Sequence, residues 1–129
     1  TVILVLNLCW TRKILSDGLV KSYLADKGYS VCGTFSFVKE LFSRMLCKDG
    51  FPHEVGIVLG YPVNDVIEFE NHKGHGCKYC GYWKSYTDAK NAKRCLCKFK
   101  ECSFICSSCY DEGYSLNQIV EKYKEVTAA

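Results

Sequence analysis

Apolar residues recur along this chain at two spacings. Residues 2–8 (VILVLNL) form a nearly unbroken apolar run, which predicts a strand from Val2 to Leu8 buried on both faces. Thr11 then opens a helix to about Asp26. Ile14, Leu15, Leu19, Tyr23 and Leu24 make its apolar side, and Gly28 is placed to stop it. Thr34 or Ser36 opens a second helix, reaching about Lys48, on which Phe35, Val38, Phe42 and Met45 recur at helical spacing. Asp49-Gly50 ends it. Val55 to Leu59 (VGIVL) reads as a second strand. Gly60-Tyr61 turns the chain, and Pro62 suits the first position of a third helix, since its missing N–H would have no partner there. Asp65 falls in the first turn, where the helix dipole favours it, and the helix dies before Gly74.

Residues 71–77 form a loop rich in Gly and His. Residues 81–86 predict a third strand with Tyr82, Lys84 and Tyr86 on one face. Thr87 or Asp88 caps a long helix to about Tyr110, which Gly113 stops. Ser115, with Gln118 three residues later, is a capping box for a last helix carrying Leu116, Ile119, Val120 and Tyr123. This order predicts a small single α/β domain over 1–129. Its core would be a short three-stranded, mixed sheet flanked by about five helices.

Composition changes that picture little. With 129 residues, 48% apolar and 24% charged, the chain is ordinary for one globular domain. A net charge of +3 gives no basic face for nucleic acid, so no nucleic-acid partner is expected. The apolar opening is far shorter than the roughly 20 residues of a membrane helix, and it lacks the basic start and cleavage site of a signal peptide. A cytoplasmic location with no membrane contact is therefore expected. The chain has no initiator Met and begins inside the predicted strand, which suggests that an N-terminal portion is missing. Ten cysteines would mean disulfides in a secreted chain; without an export signal they read as reduced thiols or metal ligands.

Three groups of residues carry candidate chemistry. His72, His75, Cys77 and Cys80 are spaced H-x2-H-x-C-x2-C, and two thiolates with two imidazoles make a tetrahedral zinc shell. A mobile polar loop with incidental thiols is the blander account. Cys95, Cys102, Cys106 and Cys109 fall within an arc of about 60° on a helix, with Cys97 pointing away. Such a stripe reads first as core packing, because free cysteine behaves as a small hydrophobe. Cys102, Cys106 and Cys109 are the second choice as metal ligands. Zinc is the expected ion, and no standard iron–sulfur spacing is present. In the third group, His53 and Glu54 precede a predicted strand. Adjacent residues on a strand face opposite sides, so the two should not share one substrate atom. His53 as a general base needs a nucleophile, and Cys32 and Cys47 are the upstream candidates. The plainer role for His53 is to hold the entry to the strand. Tyr82, Trp83 and Tyr86 could serve a protein-binding face, although strand alternation explains them as well.

Several of these segments resemble the DUF3793 family of bacterial proteins. Pro52-His53-Glu54 and Leu59-Gly60-Tyr61-Pro62 are similar to its two signature motifs. The segment CGYWKSYTDAKNA (80–92) resembles its C-G-x-W-K-V-Y stretch, and GYSLNQIV (113–120) its closing helix. The resemblance covers most of residues 1–124. It implies a further N-terminal segment with its own cysteine, and it brings no established activity. Cys80 and Cys102 look typical of the family, while Cys77, Cys95, Cys97, Cys106 and Cys109 look additional. HEVGIVLG also resembles the histidine strand of NlpC/P60-type cysteine peptidases. One extra residue after His53 would turn it to the other face. The expectation is thus an uncharacterised protein with a thiol-rich metal site. The alternatives are a papain- or NlpC-like cysteine hydrolase using His53, and a protein-interaction module.

Overall fold

The computed structural model describes residues 3–47 and 49–128. Among these the protein is mainly helical, with seven helices and one two-stranded antiparallel sheet. The expected three-stranded α/β domain is therefore wrong. Its two apolar strands are not strands. Residues 3–7 are irregular and α1 (Leu8–Leu15) begins at the end of the run; the share of that prediction at Val2 lies outside the described residues. Asn7 caps α1, its side chain accepting from the Trp10 N–H at 3.0 Å. Residues 55–58 form α4 (Val55–Val58), a single turn in which all four residues are buried. A short apolar run fits a buried helix turn as well as a buried strand, and period alone does not separate them.

Contacts gather the chain into two compact units, Thr1–Cys77 and Lys78–Ala129. In the first, the predicted helix from Thr11 to Asp26 is broken into α1 and α2 (Gly18–Asp26). Asp17 makes the break, because its carboxylate accepts from the Leu19 and Val20 N–H groups and starts a new helix. Gly28 closes α2 at φ +79°, as a C′ glycine should. Helix α3 (Thr34–Met45) starts where predicted, and its inward side is half the expected one: Val38 and Met45 pack against the core. Phe37 and Leu41 are fully buried, while Phe35 and Phe42 are exposed. Helix α5 (Val63–Asn71) follows Pro62, which stands one residue before it as the N-cap. The core of this unit joins Leu15, Val20, Leu24, Phe37, Leu41, Val55, Ile57, Val58 and Val66.

In the second unit only Lys84–Ser85 of the predicted strand over 81–86 is a strand, β2, and it pairs with β1 (Tyr79–Cys80), which precedes the predicted range, Tyr79 with Ser85 and Cys80 with Lys84. Helix α6 (Ala89–Asp111) is capped by the Asp88 carboxylate on the Asn91 N–H, and Gly113 ends it at φ +88°. The predicted capping box forms: Ser115 N–H donates to Gln118 Oε1 at 2.8 Å, and α7 (Leu116–Ala128) follows. Ile119 is buried on α7, whereas Leu116 and Val120 are exposed. Among the described residues no helix is long and apolar enough to cross a membrane.

Candidate binding cleft

The first unit carries a cleft of about 470 Å³. The end of α3 supplies Arg44, the connection to α4 supplies Cys47, Asp49, His53 and Glu54, and α5 supplies Glu70. The sequence expectation set His53 and Glu54 on opposite faces of a strand. They sit instead on a turn entering α4, where the Gly56 N–H donates to His53 O at 2.9 Å and the Ile57 N–H to Glu54 O at 3.1 Å. On such a turn neighbouring residues are about 100° apart, and both line the same cleft. The His53 ring packs edge-on against Phe69 with centroids 5.1 Å apart.

Glu54 is 6% exposed yet lines the cleft. Around it, the charges of Glu70 and Arg44 are already matched. Lys27 Nζ lies 2.7 Å from Glu70, and the Tyr23 hydroxyl donates to Glu70 at 2.9 Å. Arg44 pairs with Glu40, donates to the Lys27 carbonyl at 2.8 Å, and lies over the Tyr29 ring at 3.7 Å. Among the described residues no cation stands within ion-pair distance of Glu54. Its charge is felt by Arg44 and by both phenols. Burial, then the Glu70 bond, pushes Tyr23 up, with Glu54 adding to it. Burial and then Glu54 push Tyr29 up to about 12.

The motif residues at 59–62 shape the cleft's support rather than its lining. Leu59 caps α4, Gly60 turns at φ +86°, and the Tyr61 ring lies so close to Gly56 that a Cβ there would stand 2.8 Å from it. Cys32 is exposed just ahead of α3 and does not line the cleft. Cys47 does, but it follows the C-terminal end of α3, and its sulfur donates to the Ser43 carbonyl at 3.4 Å. The negative end of a helix opposes a thiolate, so this placement disfavours Cys47 as a nucleophile.

The loop residues stand as follows. His72 follows the end of α5, its Nε2 3.1 Å from Glu68, and His75 is exposed. Cys77 is half-buried, and Cys80 is exposed in β1 of the second unit. On α6, Cys95, Cys102 and Cys106 are half-buried, Cys109 is buried and Cys97 exposed, as the helical stripe predicts. Among the described residues no group of three or more His, Cys, Asp or Glu side chains is arranged to hold a metal ion. Tyr86 is buried, Trp83 half-buried, and the Tyr82 ring packs edge-on to Phe99 at 5.3 Å.

Sequence reasoning missed Arg44, Glu70, Tyr23 and Lys27. Glu40 and Arg44 were open to discovery as an i,i+4 ion pair. The Lys27–Glu70 and Tyr23–Glu70 contacts span more than forty positions and left no local signal.

The fold and cleft together define a mainly helical protein with an acid-lined pocket beside a histidine. Residues 1–120 match the family described as "Protein of unknown function (DUF3793)", and the chain belongs to that family. No curated protein and no solved structure matches it.

Proposed function

We propose that this protein binds a small organic cation, an amine or guanidinium compound, in the cleft of its first unit. One observation carries the reading: Glu54 is a buried carboxylate at the cleft whose charge no cation pairs among the described residues. Arg44 senses this charge without forming an ion pair with it, and a cation entering the cleft would supply the direct pair. Glu70 and Arg44 are held by Lys27 and Glu40, which leaves buried Glu54, with exposed Asp49 beside the cleft, to meet a ligand. His53 flanks it, fixed against Phe69. The cleft's volume lies in the range of small-molecule sites.

Calorimetric titration with agmatine and with putrescine tests this, with succinate as the anionic control. The diamine or agmatine should bind and succinate should not. Glu54→Gln should weaken binding roughly tenfold or more, the scale of losing a bond to a charged group. Binding of succinate alone, or equal cation binding by Glu54→Gln with unchanged helicity, would refute the reading. A Cys–His hydrolase is not supported, since Cys32 lies outside the cleft and Cys47 sits at the wrong helix end.

A further inference from the structure

The second unit holds a pair of thiols that the cleft does not use. Cys102 and Cys106 stand one turn apart on α6, and their sulfur atoms are 4.0 Å from each other. Two thiolates sharing one tetrahedral ion with bonds of about 2.3 Å stand roughly 3.8 Å apart. The pair therefore already has close to the separation a chelated ion imposes. Soft thiolate ligands favour soft or borderline cations. Both residues are half-buried, so the sulfurs are sheltered but reachable. The surroundings are thiol-rich: the Tyr123 phenol of α7 and the buried Cys109 stand close enough to act on the charges of Cys102 and Cys106.

The geometry points to Cys102 and Cys106 as a two-thiol clamp for a thiophilic divalent cation of the zinc–cadmium class. Binding forms two metal–sulfur bonds and releases two thiol protons to solvent; nothing is oxidised or reduced. Two protein ligands leave the remaining positions of the ion to water or a small anion. The clamp is distinct from the loop at 72–80 and from the cleft of the first unit.

Because the protein has ten cysteines, the test must resolve individual sites. The reduced full chain is mixed anaerobically with an equimolar amount of cadmium ion and pulsed with iodoacetamide, and alkylation at each cysteine is read by mass spectrometry. Cys102 and Cys106 should be protected together, about tenfold or more, as expected when two tethered ligands hold one ion. Exposed Cys9, Cys32 and Cys97 should alkylate at their metal-free rates. Cys102→Ala should abolish the protection of Cys106, and Cys106→Ala that of Cys102, with circular dichroism confirming that helix content is kept. Should either variant lose its helices, the wild-type pattern decides. Protection spread evenly over the thiols, confined to the loop, or absent overturns the proposal. So does protection of Cys106 that survives Cys102→Ala in a folded variant.

Discussion

Two hydroxyl groups, those of Tyr29 and Ser85, are buried without a hydrogen-bonding partner among the described residues. A buried unsatisfied polar group costs about 1–3 kcal/mol. Ser85→Ala and Tyr29→Phe should therefore be neutral or stabilising by up to about 1 kcal/mol, read from denaturant midpoints. A loss of more than that would mean the hydroxyls have partners. Glu40 makes the opposite case. The Ser30 N–H at 3.2 Å and then Arg44 hold its carboxyl below its ordinary value. The folded state thus prefers the charged form. The contribution is complete above the unfolded carboxyl's ordinary value and is lost as pH falls through the depressed one. Glu40→Gln should flatten the acid limb of stability against pH and leave the alkaline limb unchanged.

At the scale of elements, α4 shows what the sequence concealed. An isolated four-residue helix is unstable because nucleation is unfavourable. It forms here because Val55, Ile57 and Val58 are each buried, worth about 1.5–3 kcal/mol apiece. Gly56 lets the Tyr61 ring and Val66 approach, since an added Cβ would meet them at 2.8 and 3.3 Å. Gly56→Ala should cost about 1–3 kcal/mol despite its better helix propensity, measured by urea unfolding. An unchanged midpoint would show that Tyr61 moves aside freely. Some helix ends were legible from their own chemistry, although the caps Asn7 and Asp17 were passed over in favour of Thr11. Asp88, Gly113, Ser115 with Gln118, and Gly28 all do what their types predict. Where an apolar run lacked a long period, reading it as a strand failed: residues 55–58 are a buried helix turn, and at 3–7 the expected burial on both faces does not occur, since Ile3 and Val5 are exposed. The apolar face of α3 was half misjudged for a related reason: Val38 and Met45 pack against the core as expected, but Phe35 and Phe42 repeat as regularly as Phe37 and Leu41, and only packing chooses between them.

For the whole molecule, the candidate site was half legible. His53 and Glu54 stood out, but the strand reading separated them, and the turn brings both to one cleft. The charge balance that singles out Glu54 depends on Lys27 reaching Glu70 and Arg44 reaching Glu40, a pattern that appears only in the folded unit. The most direct check is the amide spectrum of isotope-labelled protein titrated with agmatine. The shifts should cluster at Arg44, Cys47, His53, Glu54 and Glu70 and vanish in Glu54→Gln. Shifts elsewhere, or an unchanged response in that variant, would contradict the assignment of the cleft as a cation site.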